Sequence, residues 1–299
     1  MKTWNKFVKK CLRRSQYTFY FVKFTIKSYF DDNLAPADLL LESQILVNTE
    51  RKITLLWTPK VGSHFAVKWF FDQKGLLKKA LNYHSFYYGN SGEGFVHNFR
   101  DEVYRFSEEH RVSVGQFLQN PDEYIVIKIV RQPLERAVSS FIHANKYGFA
   151  DKSISKFLRR KVTRENRFSF REFVSYLESL DIYKCNIHFR AQIHRCERNG
   201  QIRVGRVIDL SNSINLFSNL EKELGLKSTD LEKLAQSKHH TIRKNVDGFY
   251  GDKIDLYGLR GIPVPPARNF YDNDLINCVG EIYKEDFERY GYKCSLSEI

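Results

Sequence analysis

Two strand–loop–helix units constrain the fold of this chain more than any other feature of its sequence. In the first, the apolar run Ile53 to Trp57 precedes the loop TPKVGS at 58–63, and a helical pattern follows from Phe65. In the second, Tyr124 to Val130 precedes the loop that opens at Arg131, and a helix begins at Pro133. Short β-branched runs of this kind predict buried parallel strands. Because the N-terminus of a helix favours an anion, the two units indicate a ligand with two phosphate-like groups.

The first loop has residue types that suit an anion. Pro59 fixes the entry to the turn, Gly62 allows close backbone approach, and Ser63 begins the helix. Lys60 would lie beside the anion, where a unit-charge contact at about 4 Å contributes roughly 4 kcal/mol at an effective dielectric near 20. The spacing of a nucleoside triphosphatase P-loop is absent, so the sequence predicts no Walker-type site.

The second loop places a guanidinium at the end of a strand. Arg131 offers a fork of donors, and Ser139 lies two helical turns further on, within reach of the same phosphate. For Arg136 we favour a surface or structural ion pair over a ligand contact.

The 299 residues predict one large domain. We expect a three-layer α/β fold with a central parallel sheet and helices on both faces, over 46–299, after a basic and partly helical extension at 1–45. The first strand is expected near Lys52. The aromatic, glycine-rich stretch 82–100 is predicted as a loop over the site, and the basic stretch at about 146–168 as a mobile, solvent-facing insertion without a core face.

The N-terminal 30 residues are basic and contain no acidic side chain. They are predicted either to contact an anionic membrane surface or to form a solvated helix packed on the domain. The apolar stretch Tyr17 to Ile26 is interrupted by Lys23 and is too short to span a bilayer, and no small-residue cleavage site follows it cleanly. We therefore predict no transmembrane anchor and no signal peptide, and a cytoplasmic location, with a Golgi location less favoured.

The two loops together resemble those of the PAPS-dependent sulfotransferases, especially the carbohydrate-type branch. Residues 58–63 resemble the 5′-phosphosulfate loop of that family, and residues 130–141 its 3′-phosphate segment. Further similarities are Asn186, His188, Gln192 and Cys196 in an Asn-x-His-x-x-x-Gln-x-x-x-Cys pattern, the strand Val207 to Leu210, and the ending around Tyr283, Asp286, Phe287 and Gly291-Tyr292. The resemblance implies a P-loop-like nucleotide-binding sulfotransferase fold.

By position, the resemblance assigns two groups of binding residues. The 5′-phosphosulfate would be bound by Pro59, Lys60, Gly62, Ser63 and His64, and the 3′-phosphate by Arg131 and Ser139. Two residues depart from the family pattern. His64 replaces a threonine that is common after the loop serine, and Gln132 replaces the aspartate that is usual before the proline, which removes a carboxylate that often orients the arginine.

The implied reaction transfers a sulfuryl group from PAPS, the co-substrate, to an acceptor hydroxyl or amine, most readily that of a carbohydrate, with no metal. Lys60 is expected to neutralise charge on the leaving phosphate. A general base must accept the acceptor's proton. His97 is the first candidate and His188 the second, while His84 and the pair His239-His240 are weaker ones.

Other interpretations remain open at this stage. A net charge of +13 and the arginine-rich segment 159–167 also fit a nucleic-acid-binding protein, although an aromatic RNA-binding strand is missing. A kinase or nucleotide phosphatase would need a magnesium-binding acid near the first loop. Cys185, His188, His194 and Cys196 allow a zinc site or a Cys185–Cys196 disulfide, and the stretch Lys238 to Lys244 could close over the nucleotide through Arg243 or Lys244.

Overall fold

The computed structural model describes residues 44–88, 96–236, 247–254 and 264–299. Almost all of the predicted basic extension, the pair His239-His240 and the stretch Lys238 to Lys244 lie outside the described residues. Their roles, including the membrane contact, stay predictions. No helix in the described ranges combines the length and the apolar character that a bilayer crossing requires.

The described residues contain a four-stranded sheet in the order β1-β2-β3-β4. The strands are β1 (Ile45–Asn48), β2 (Ile53–Trp57), β3 (Ile125–Val130) and β4 (Arg206–Asp209). β2, β3 and β4 pair in parallel, which confirms the parallel centre of the predicted fold. β1 pairs antiparallel with β2 and was not predicted, because its four residues are too few to give a clear pattern.

The helices surround this sheet. The first group is α1 (Ser63–Gln73), α2 (Leu77–Tyr88), α3 (Val96–Glu102), α4 (Glu108–Gln119) and α5 (Pro133–Tyr147). The second is α6 (Asp151–Leu158), α7 (Phe170–Glu178), α8 (Arg195–Arg198), α9 (Ser213–Glu223), α10 (Leu231–Ala235), α11 (Asn273–Ile282) and α12 (Lys284–Tyr290).

Alternate residues of the strands pack on opposite sides of the sheet, as the pleat requires. On one face Leu55 and Ile127 pack with α1, α9 and α10. On the other face Leu56 and Val126 pack with α4 and α8. The three-layer arrangement with helices on both faces is therefore confirmed. A third apolar cluster joins α5, α6, α7, α11 and α12.

Two predictions about segments were wrong. The stretch 82–100, expected to be a loop, is helical wherever it is described, in α2 and α3. The basic stretch 146–168 has a core face, because Ile154 and Phe168 are buried in the third cluster. Arg167 is also buried there, where its guanidinium pairs with Asp151 at 2.6 Å. The capping box predicted at Ser169 is confirmed at the start of α7.

Candidate functional site

The candidate site lies at the carboxyl edge of the three parallel strands. Trp57 is in register with Ile129, and Val130 with Asp209, so β2, β3 and β4 end side by side. The loop 58–62 follows β2 and the short loop at Arg131 follows β3. Parallel strands thus bring together two loops that are 71 residues apart in the chain, as Lys60 and Arg131 are.

The first loop turns through two left-handed residues. Lys60 has φ 74° and Gly62 has φ 75°, a conformation that costs a non-glycine residue about 1–2 kcal/mol. A Cβ at Gly62 would also lie 2.3 Å from Cδ1 of Leu210, the residue that follows β4. Gly62 then caps α1 without a side-chain hydrogen bond. The backbone hydrogen bonds of the described residues include none donated by Gly62 or Ser63, and N–H groups without an acceptor at a helix N-terminus favour an anion.

Arg136 ties the two loops together. Its side chain is buried, its Nε donates to the carbonyl of Pro59 at 3.2 Å, and its NH2 donates to the carbonyl of Arg190 at 2.7 Å. The ion pair predicted for Arg136 is not found among the described residues, because its hydrogen-bond acceptors are carbonyls rather than carboxylates and its side chain is buried. The charge therefore remains uncompensated by a direct ion pair in the part of the chain described.

Arg131 is fixed from three sides. Its backbone N–H donates to Oε1 of Gln192 at 2.8 Å, and its carbonyl accepts from Nε2 of the same residue at 2.8 Å. Nε of its guanidinium donates to Oε2 of Glu135 at 3.0 Å, and NH1 approaches the carbonyl of Lys60 at 3.4 Å. Glu135 thus supplies the orienting carboxylate that the sequence was expected to lack at Gln132.

Gln132 has a different role. Its Oε1 accepts the N–H of Glu135 at 3.2 Å and so caps the N-terminus of α5, as an aspartate would. Its Nε2 donates to the carbonyl of Lys293 at 3.2 Å. The departure from the family pattern therefore preserves the helix cap and adds a contact to the C-terminal segment.

The cations at this edge perturb one another. The pKa of Lys60 is lowered from 10.5 to about 8. Burial is the largest cause, and the positive charges of Arg131, Arg136 and Lys146 add to it. No carboxylate contributes to this shift. Such an excess of positive charge in a partly buried place favours an anionic ligand, which would stabilise the charged amine.

His188 lies close enough to Lys60 for the lysine's positive charge to lower the pKa of its imidazole. Its pKa is lowered from 6.5 to about 4, first by burial and then by Lys60 and Arg136. Oδ1 of Asn186 accepts the backbone N–H of His188 at 3.0 Å and lies 2.9 Å from its Nδ1. Since this oxygen only accepts, Nδ1 carries the ring proton and Nε2 holds the basic lone pair.

His143 was missed by the sequence analysis. Its ring lies 4.7 Å from that of His188, and its pKa is lowered to about 3 by burial and by the charges of Lys60, His188 and Lys146. A signal existed, because Arg136, Ser139 and His143 recur at helical spacing on α5. Ser139 itself lies half-buried on that helix, between the other two along the chain.

His97 lies beside the first loop because it contacts His64, the residue that follows this loop. Its ring packs edge-on against His64 at 4.7 Å, and its pKa is held well below 6.5 by burial and by the charges of Arg100 and His64. Nδ1 of His97 has no hydrogen-bond partner in the described ranges. His84, the weaker candidate, is buried and its Nδ1 lies 3.0 Å from Nδ2 of Asn98.

The cysteine and histidine cluster does not assemble. No disulfide joins Cys185 to Cys196, so the possible bridge between them is absent. Nε2 of His194 lies 3.1 Å from the carbonyl of Trp57, whereas Cys196 is buried in the core beneath the sheet. Among the described residues no group of three or more metal-ligating side chains comes together.

Comparison with known proteins gives one result. A family model described as "Sulfotransferase family" matches residues 43–293, which include both loops and every described strand. No curated protein and no solved structure matches the chain.

Proposed function

Because the chain belongs to the sulfotransferase family, we propose that it transfers a sulfuryl group from PAPS to a hydroxyl group of a carbohydrate. The family establishes a transferase that acts on a hydroxyl-bearing acceptor. PAPS as the donor, a carbohydrate as the acceptor and the roles of the individual residues are proposed.

One observation carries the proposal. Lys60, Arg131 and Arg136 converge at the carboxyl edge of the sheet, where burial, and after it the positive charge of the neighbouring cations, lowers the pKa of Lys60 to about 8. A protein keeps such a cluster at a cost in stability. A nucleotide with one phosphate and one phosphosulfate would offset the charge at both loops.

The chain's residues fit the two ends of this donor. At the first loop the N–H groups of Gly62 and Ser63 have no acceptor in the described residues, and the buried hydroxyl of Thr58 has no partner there either. With Pro59 shaping the turn and Lys60 and His64 beside it, they would bind the 5′-phosphosulfate. At the second loop Arg131, oriented by Glu135, and the hydroxyl of Ser139 would bind the 3′-phosphate.

The chemistry would proceed by in-line displacement. The acceptor oxygen forms a bond to sulfur while the bond between sulfur and the bridging phosphate oxygen breaks, so that PAP leaves. Lys60 would stabilise the charge that develops on that oxygen, and positioning would supply most of the remaining rate enhancement. The acceptor's proton would pass to a histidine.

In preference to His97, the first candidate from the sequence, we assign the base to His188. Its neutral form predominates at pH 7, and the Asn186 contact leaves Nε2 as the proton acceptor. The pKa of about 4 belongs to the protein without donor. A bound anion would offset the Lys60 charge and raise it toward the range of an efficient base. His97, in contact with His64, would instead position the first loop.

Incubation of the purified chain with PAPS that carries a ³⁵S-labelled sulfuryl group tests the proposal. Transfer of label to a member of a carbohydrate panel, abolished in Lys60→Ala, is expected. Transfer only to a lipid or a peptide would refute the acceptor class. Absence of any response to PAP, together with salt-sensitive nucleic-acid binding, would instead favour the nucleic-acid interpretation.

A further inference from the structure

Four aromatic rings form a shelf beside the candidate site. The shelf consists of His143, Tyr147, Phe149 and His188. His143 contacts the other three, with ring centroids 4.6 Å from Tyr147, 5.4 Å from Phe149 and 4.7 Å from His188. Phe149 lies 4.8 Å from His188. The rings therefore run without a break from His188, the proposed base, to the end of α5.

The outer half of the shelf is open to solvent. Tyr147 is 62% exposed and Phe149 is 37% exposed. α5 ends at Tyr147, and the next residue, Gly148, has a φ of 66° that turns the chain so that Phe149 returns toward His188. Exposed rings beside a functional site offer an apolar face to a ligand, because covering that face removes apolar surface from water.

Lys146 adds a cation to this shelf. The residue is exposed, and its Nζ lies 5.4 Å from the centroid of the Tyr147 ring. Its charge contributes to the lowered pKa values of both Lys60 and His143. Lys146 is therefore near the donor loop as well as the shelf. Among the described residues it forms no ion pair.

We propose that Tyr147, Phe149 and Lys146 form the acceptor subsite and bind a sugar ring that carries an acidic group. This inference rests on the proposed function, of which it specifies the acceptor. The C–H face of a pyranose packs on an exposed aromatic face, and a carboxylate on the same or the next sugar pairs with Lys146. The hydroxyl to be sulfated then lies beside His188.

The open shape of the shelf favours a sugar over a tyrosine side chain. A phenol ring would be stabilised best by a deep apolar slot that removes it from water. The side chains of Tyr147 and Phe149 are instead exposed to solvent. Two of the basic residues further along, in the stretch that the sequence suggested for an acidic saccharide, are less suited. Arg167 is buried against Asp151, and Arg160 pairs with Glu172 at 2.7 Å.

Calorimetric titration of the full chain with oligosaccharides tests the subsite, both with saturating PAP and without it. The probes are unsulfated chondroitin and heparosan hexasaccharides, which alternate a uronate with an N-acetylhexosamine, and neutral chitohexaose. We expect at least one uronate probe to bind about tenfold more tightly than chitohexaose. Tyr147→Ala, Phe149→Ala and Lys146→Ala should each weaken its binding by about tenfold, and Tyr147→Phe should retain it.

Matched controls come from the next helix. Phe157 is also 37% exposed and Lys156 is an exposed lysine on α6. Phe157→Ala and Lys156→Ala should change uronate binding by less than about twofold, and Tyr147→Ala and Phe149→Ala should leave the affinity for PAP unchanged. Undiminished binding in the three shelf variants, or loss in Lys156→Ala alone, overturns the subsite.

The failure of this inference is separable from that of the proposed function. If PAP binds and neither uronate probe does, the shelf is not an acceptor subsite while the donor site stands. If an acidic tyrosine peptide binds to the shelf in preference to every sugar, the proposed substrate class is wrong. If PAP does not bind, the titration without PAP still decides whether the shelf holds a sugar.

Discussion

The side chain of Gln192 holds both backbone polar groups of Arg131, accepting from its N–H and donating to its carbonyl, each at 2.8 Å. Gln192 is itself fixed, because its N–H donates to the buried carboxylate of Asp286 at 2.8 Å and its carbonyl accepts from Nζ of Lys128 at 2.7 Å. The position of Arg131 therefore depends on residues that are 61 and 155 positions further along the chain. A backbone clamp of this kind fixes a site before any ligand arrives.

Replacing Gln192 with alanine should loosen the second loop without removing a ligand contact. Gln192→Ala leaves the N–H and carbonyl of Arg131 unpaired, so we expect the free energy of unfolding to fall by roughly 2–4 kcal/mol. The affinity for PAP should fall by about tenfold. Urea denaturation and calorimetry measure the two effects, and Gln116→Ala, at an exposed position of α4, is the control. Unchanged PAP affinity would show that the clamp does not position Arg131.

Gly62 should tolerate no side chain. Gly62→Ala combines a left-handed backbone with a Cβ that meets Leu210 at 2.3 Å, so the free energy of unfolding should fall by more than the roughly 1–2 kcal/mol that backbone strain alone costs. Gly75→Ala is the matched control, since φ is 68° there and nothing lies within 4 Å of the added carbon. The added Leu210→Ala should restore part of the loss. Equal destabilisation of the two glycine variants would exclude the clash.

PAP binding should weaken as pH rises through about 8. The folded pKa of Lys60 lies near that value without ligand, so the amine loses its charge above it, and PAP, whose phosphates are fully ionised there, loses an attractive contact. Binding should also take up protons, because the anion raises the pKa of the amine. Calorimetry in two buffers of different ionisation enthalpy detects this uptake. Lys60→Arg should bind PAP with little change between pH 7 and 9.5, and a wild-type profile as flat as that would contradict the prediction.

Much of the fold was readable from sequence because it depends on local patterns. β2 and β3 are short β-branched runs, and the N-terminus of α7 carries a capping box, both of which are local signals. The burial of Arg167 was not readable, because it depends on Asp151 and Asn145 approaching the same guanidinium in three dimensions. A basic stretch looks solvent-facing until its partners are known.

The candidate site shows the same division. The loops that contain Lys60 and Arg131 were identified from motifs, and parallel strands then brought them together. Glu135 as the partner of Arg131 and His143 as the neighbour of His188 were not found, because neither belongs to a motif. The helical spacing of Arg136, Ser139 and His143 on α5 was present in the sequence. Only the contact of His188 with His143 shows that this side of the helix faces the site.

His188 should affect the chemical step more than donor binding. His188→Gln removes the proposed base, so we expect kcat to fall by about 10²–10⁴ while the affinity for PAP stays within about threefold. His97→Gln, which alters the contact with His64, should lower kcat by less than about tenfold. Steady-state rates with labelled PAPS and calorimetry with PAP separate the two effects. A larger loss of kcat in His97→Gln than in His188→Gln would identify His97, and not His188, as the base.

In the proposed function, Arg131 and Lys60 belong to one site for a nucleotide with two phosphate groups. Calorimetric titration with PAP of the wild type, Arg131→Ala and the exposed control Arg111→Ala tests it most directly. We predict micromolar binding that Arg131→Ala weakens by at least about a hundredfold and that Arg111→Ala leaves unchanged. Failure of the folded wild type to bind PAP, or equal binding by Arg131→Ala, would contradict the account.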